Sequence, residues 1–331
     1  MPPDRPTLVY SIFVVVLVLA ALDQTILSTA LPAIARDLDG QARIAWVFSA
    51  YLIASTVVIP LYGKLADIHG TRPVLLLALA LFLAGSVGCG LSGSMSQLVV
   101  ARGLQGAGGG GLLTLTMLGV VDLYPPSSRG RYQALLGAAY GIATMFGPIF
   151  GGLLVQRLSW HWAFFINVPV ALGALAILAV AFRPGSARHA QRVDYVGALL
   201  LAASLVALLI ATRHDSGLDS WSTALLGCTA AVLAAAFVWI ERRARHPLLP
   251  LTLFASGAFS AATAVSAASG VALFAAVVFL PIYLQTALGM TPIVSGLHVW
   301  PLMSGVTLAA IAGGRVLRAD GPVRVLALAR A

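Results

Sequence analysis

The sequence predicts an all-α integral membrane protein, and three observations carry that prediction. Of the 331 residues, 60% are hydrophobic and only 9% are charged, with a mean hydropathy of +0.95; a soluble domain carries roughly a quarter charged residues. The apolar residues gather into runs of about 20, the length a helix needs to cross the hydrocarbon core. The runs lack the alternation of apolar and polar residues over about 10 positions that marks a membrane β-strand.

Ten segments have the required length: 8–30, 44–66, 73–92, 97–121, 132–155, 162–182, 193–212, 221–240, 257–286 and 293–313, with a possible eleventh starting near Val323. The first is long and carries Asp23 near its end, so it reads as a retained helix rather than a cleaved leader. Between spans two and three lies GKLADIHGTR, residues 63–72. Gly63 and Gly70 permit a tight turn there, and Lys64, Asp67 and Arg72 put three charges into it. A polar loop this short joins antiparallel neighbours. Span four opens on ARGLQGAGGGG; Gly106 and Gly110 stand at i+4 and i+8 from Arg102 on one face, where a second helix can approach closely. Span five holds GAAYGIATMFGPIFGG, in which Gly137, Gly141, Thr144, Pro148 and Gly152 share a small-residue face. Pro148 should bend that helix, because it cannot donate to the carbonyl of Thr144.

The stretches 183–192 and 241–256 are basic and break the helix pattern, which sets spans seven and eight apart as a hairpin. Late in the chain GRVLRADGPVR, residues 314–324, repeats the glycine spacing of the first turn with Gly314 and Gly321. It follows span ten where the first copy follows span two. A plain six-helix repeat would shift it by six, and two inserted helices account for the difference. The expected organisation is a six-helix bundle over 1–182, a linker with a two-helix insert over 183–256, and a partial second bundle over 257–331.

Twenty cations against eleven anions give a net charge of +9. On the predicted topology fifteen of the twenty lie on one side, four (Arg36, Arg43, Arg157, Arg213) lie on the other, and Arg102 is inside a span. That bias places the N-terminus in the cytoplasm. The basic excess therefore belongs to cytoplasmic loops and not to a nucleic-acid surface. Trp46, Trp160, Trp162 and Trp221 fall at predicted outer helix ends, as an interfacial belt would place them. Cys89 and Cys228 lie inside apolar runs, and the six histidines form no ligand cluster; neither a disulfide framework nor a metal pattern is expected, and no cofactor. Gly106–Gly111 matches G-x-G-x-x-G, but inside a span with no preceding strand, so it is no nucleotide site. No nucleophile triad or paired carboxylate is visible, which argues against an enzyme.

Two charges inside spans are the candidate chemistry. A charge at mid-membrane costs about 2.5–3.5 kcal/mol on insertion scales and usually faces a cavity or a partner. Withdrawal from water favours the protonated form of a carboxylate, so Asp23, in the outer half of span one, is a candidate for proton exchange. The plainer reading has Asp23 hydrogen-bonding its neighbours Gln24 or Thr25. Arg102 either reaches a cavity or a carboxylate, or snorkels to the interface. His298 is the one histidine inside a span and reads as an isolated packing residue.

These motifs resemble those of the major facilitator superfamily, and within it the fourteen-helix drug:proton antiporters. LDQTILSTALP (22–32) resembles the first-helix motif, GKLADIHGTR the loop between helices two and three, RGLQGAGGG (102–110) the fourth-helix motif, and GIATMFGPIFGG (141–152) the antiporter motif of helix five, with Gly141, Gly147, Pro148, Gly151 and Gly152. SWHWAFFINVP (159–169) and LPIYLQTALGMTP (280–292) are similar to further family segments. The resemblance implies alternating access by two six-helix domains and proton-driven export of small amphipathic molecules across the cell membrane. It links the acid at Asp23 to coupling and the arginine at Arg102 to proton transfer. It makes Gly63, Asp67, Gly70 and Arg72 a loop that steadies one conformation. The implied partners are a small-molecule substrate, protons and the lipid bilayer. Arg318 stands where Asp67 would align in the second loop copy. Ten spans fall short of fourteen, so a missing C-terminal half or a partner chain is also expected. The alternatives are a metabolite exporter with the same fold, for an amino acid or a siderophore, and a non-transporting remnant or scaffold.

Overall fold

The computed structural model describes residues 6–40, 43–182, 195–212, 220–244 and 251–309, and every regular element among them is helical. In order these are α1 (Pro6–Asp37), α2 (Ile44–His69), α3 (Thr71–Gly90), α4 (Met95–Leu123) and α5 (Pro126–Arg157). Then come α6 (Trp162–Ala181), α7 (Tyr195–Ala211), α8 (Ser220–Arg243), a 3-10 turn (Leu251–Ala255), α9 (Gly257–Thr286) and α10 (Pro292–Ala309). Nine of these are long and apolar enough to cross a membrane, and the remaining one is a shorter apolar helix. In lipid the backbone must satisfy its own hydrogen bonds, which is why apolar runs of this length take helical form. Local signals set the ends. Ser94 caps α4 by accepting from the Gln97 amide at 3.3 Å, and Pro126 opens α5, where its missing N–H costs nothing.

The predicted segments match the helices in order, with two differences that matter for the site. α1 continues to Asp37 instead of ending at 30, which moves Asp23 from the outer half to near the middle of its helix. The loop expected over residues 63–72 is nearly all helix. α2 runs through Gly63 to His69, α3 starts at Thr71, and only Gly70 is non-helical, with φ 86°. Gly63 therefore makes no turn. Gly314–Arg324, Arg318, the possible eleventh segment and the linker 183–192 lie outside the described residues.

α4 is sandwiched between α2 and α3, and α1 packs against α5 with α4, α6 and α9 also touching it. α7 and α8 pair with each other, and their Ala198 and Phe237 sit against Val57 and Leu61 of α2. Two large apolar clusters fill the core of the first six helices. One holds Phe13, Leu17, Leu75, Leu79, Leu112 and Leu115. The other holds Ile26, Leu31, Val47, Leu98, Trp160 and Phe164. Between them, on α1, α3, α4 and α6, the buried residues are Asp23, Ser86, Arg102, Gln105 and Asn167. A polar layer thus cuts the bundle between two dry halves.

Candidate functional site

Asp23 is at the centre of this layer. Its Oδ2 accepts from Arg102 Nη1 at 2.9 Å, and its Oδ1 accepts from Gln105 Nε2 and from Asn167 Nδ2, each at 2.7 Å. Gln105 also donates to Ser86 Oγ at 2.8 Å and accepts from Arg102 Nη1 at 2.6 Å. Arg102 Nε donates to the Val47 carbonyl at 3.2 Å, and the guanidinium lies over the Tyr51 ring, 4.3 Å from its centroid. Both charges are out of solvent, with side-chain exposures of 0% for Arg102 and 1% for Asp23. Removing two ions from water costs several kcal/mol each, and only good geometry and further hydrogen bonds offset that. Here both carboxylate oxygens and two of the three guanidinium nitrogens have partners.

The geometry identifies the partners of both charges. Asp23 bonds three side chains on other helices; Gln24 instead reaches the Tyr51 hydroxyl and Thr25 the carbonyl of Ala21. Arg102 does not snorkel. α4 begins at Met95, two turns earlier, and carries Arg102 to the carboxylate of α1. The glycines of α4 make this possible. A Cβ at Gly106 would overlap the Tyr51 backbone, one at Gly110 would stand 2.6 Å from Ser55 Cα, and one at Gly108 would overlap the backbone of α3 at Ala78 and Phe82. With hydrogen in those places, α2 and α3 close on α4 from both sides. The run Gly106–Gly111 lies mid-helix, away from any strand.

The α2–α3 turn lies apart from the Asp23 cluster. Arg72 donates to the Ala179 carbonyl on α6, and Thr71 donates to Asp122 Oδ2 on α4 at 2.5 Å. Asp67 is half-buried near the end of α2 and has no ion pair among the described residues. The residues of span five fall on two faces, and Gly141, Pro148 and Gly152 of the expected small-residue face stay together. Gly147 and Gly151 meet α1 at Thr25, Ile26 and Thr29, whereas Gly141, Pro148 and Gly152 meet α10 at Thr307, Gly296 and Pro292–Ile293. Gly137 has open space around it. α5 is thus a smooth helix held between α1 and α10, and Thr307 Oγ1 donates to the Gly141 carbonyl at 3.0 Å.

Among the tryptophans, Trp162 and Trp221 are 47% and 75% exposed, as a belt residue should be. Trp160 is not: it is 4% exposed, and its indole donates to Asp37 Oδ2 at 2.8 Å, pinning the end of α1 to the α5–α6 turn. Sequence reasoning missed Ser86, Tyr51, Gln105 and Asn167 as site residues. Gln105 had a signal, since it stands three residues after Arg102 on the same face. Asn167 lies in the family-like segment SWHWAFFINVP, but no spacing ties it to the carboxylate 144 residues away.

Residues 13–331 match the family model described as Major Facilitator Superfamily. The chain is 37% identical over 335 residues to an uncharacterised MFS-type transporter of Mycobacterium tuberculosis, covering 99% of this chain and 48% of that protein. It is 33% identical over 317 residues to the multidrug transporter protein MdtP of Bacillus subtilis, covering 95% and 59% respectively. The chain therefore spans about half the length of the curated relatives it matches. A solved structure of the peptide transporter POT in complex with sulfate superposes with a TM-score of 0.65 at 15% identity, over 96% of this chain and 69% of that one. At that identity the likeness shows the fold alone.

Proposed function

The chain belongs to the Major Facilitator Superfamily, a family of membrane transporters and not of enzymes, and on that premise we propose that it acts in proton-coupled export of small amphipathic molecules by alternating access. One observation carries the reading: a carboxylate and a guanidinium paired at 2.9 Å in the dry centre of a helical bundle. Intramembrane ionisable groups are costly and are kept where they do work. A proton on Asp23 removes the charge that Arg102 answers, so the two protonation states favour different packings of α1 against α4. A proton entering under a membrane potential supplies about 2.3 kcal/mol per 100 mV when it exchanges for a neutral compound, and a pH gradient drives its exchange for a monovalent cation. The names of relatives such as the multidrug transporter protein of Bacillus subtilis support a drug-like substrate. The basic loop bias supports a cytoplasmic N-terminus in a cell membrane. The smooth faces of α5 toward α1 and α10 are the surfaces that slide as the halves rock.

The test uses the chain reconstituted in liposomes with an imposed pH gradient and ethidium as probe. Wild type should move ethidium against its gradient while protons run down theirs, and Asp23→Asn should reduce this to the level of empty liposomes. Equal transport by Asp23→Asn would reject the coupling role.

A further inference from the structure

The two amides on Asp23 are not equivalent, and the difference assigns them different tasks. Gln105 is committed at both ends: Nε2 donates to Asp23 and Ser86, while Oε1 accepts from Arg102 at 2.6 Å and faces the Cys89 thiol at 3.5 Å. Turning this amide over would set its N–H group against the guanidinium. Asn167 is committed at one end only. Its Nδ2 donates to Asp23 Oδ1 at 2.7 Å and lies 3.5 Å from Ser86 Oγ, while its Oδ1 is buried with no hydrogen-bond partner. A buried acceptor without a donor is a standing cost.

We infer that Asn167 is a positioning residue that turns over with the protonation of Asp23, a step that rests on the proton-coupling reading above. When Asp23 is ionised it can only accept, so Asn167 must present its N–H. When a proton adds to Oδ1, that oxygen becomes a donor. Asn167 rotated by half a turn offers its unspent Oδ1 as the acceptor. Gln105 Nε2 still donates to the hydroxyl oxygen, and Arg102 still donates to Oδ2, now a carbonyl oxygen. Arg102 meanwhile keeps Val47, Gln105 and the Tyr51 ring. The turnover gives up the 3.5 Å approach of Nδ2 to Ser86 Oγ and precedes any repacking of α1 against α4. Asn167 stands one turn into α6, after Ile166, whose backbone is helical at φ −59° and ψ −27°. It is the α6 residue bonded to the carboxylate, so the turnover carries the protonation state of α1 to α6. The titratable and charged groups near Asp23 are Arg102 of α4, Tyr51 of α2 and Cys89 of α3, with Tyr140 of α5 within electrostatic reach of Tyr51. α6 contributes the neutral amide alone.

Asparagine occurs once in the sequence, so an asparagine carbon-13 label on the side-chain carbonyl reports Asn167 alone. The purified chain in lipid nanodiscs is titrated while pH-difference infrared spectra are recorded. Unlabelled Asp23→Asn identifies the carboxyl band of protonated Asp23 by its loss. The labelled amide band should shift with the same midpoint pH as that carboxyl band, and in Asp23→Ser the amide shift should vanish. An Asp23 band that titrates while the Asn167 band stays still, or moves at a different pH, overturns the turnover and leaves proton coupling standing. If no Asp23 band ever titrates, coupling and turnover both fail. Asp23→Ser loses the same carboxyl band, so it makes the assignment if Asp23→Asn does not fold.

Discussion

At the scale of single residues, the energetics of the site rest on what each side chain leaves behind when removed. Taking Arg102 away leaves a buried ionised carboxylate held by the neutral amides of Gln105 and Asn167. Breaking a buried pair in this way costs about 3–5 kcal/mol, while replacing both partners with apolar residues is often neutral. Arg102→Leu should therefore lower the thermal midpoint in detergent more than the double change Asp23→Leu with Arg102→Leu does. A double variant less stable than the single one would mean the pair is not mutually compensating. The sequence made the two charges legible because each breaks an apolar run, but it could not pair them, 79 positions apart. Neutral amides raise a smaller alarm. Gln105 stood within reach of helical periodicity, whereas Asn167 is brought in by the packing of α6, which no local spacing encodes.

At the scale of helices, glycine position decides how close two axes come. Gly106→Ala would drive a methyl into the Tyr51 backbone, which cannot swing aside as a side-chain tip can. Overpacking of this kind costs about 1–3 kcal/mol, and the same change separates Arg102 from Val47 and Tyr51. Gly137→Ala meets nothing within 4 Å, and Ala is better than Gly in a helix by roughly 0.8–1.0 kcal/mol. It should leave the thermal midpoint unchanged or raise it. Equal destabilisation by the two changes would contradict the packing account. Gly70→Ala should also destabilise, since φ 86° strains any residue with a Cβ. The helices themselves were legible, because span length and hydropathy are written in each run. The turn was misread at Gly63 because a glycine followed by charges signals a loop in water. In a membrane an intact helix saves the backbone hydrogen bonds that a loop would strand, so α2 continues through it.

At the scale of the whole molecule, the polar layer between two apolar clusters is where the bundle can hold charge out of water. The loops set how it sits in the membrane. Lys64 is the one lysine in the sequence, so an impermeant lysine-reactive reagent reports the side of the α2–α3 end. It should fail to label Lys64 in intact cells and succeed on inverted vesicles; labelling from outside would reverse the proposed topology. The order of spans and the small-residue faces were readable from the chain. The division of α5 between α1 and α10 was not, because it depends on helices that meet only in the folded bundle. The proposed coupling links substrate binding to loss of the proton from Asp23, and proton release on binding tests it most directly. Tetraphenylphosphonium is added to the purified chain in weakly buffered detergent while the pH is followed. Wild type should release protons in proportion to the probe bound, and Asp23→Asn should bind without release. Release of the same size from Asp23→Asn would contradict the account.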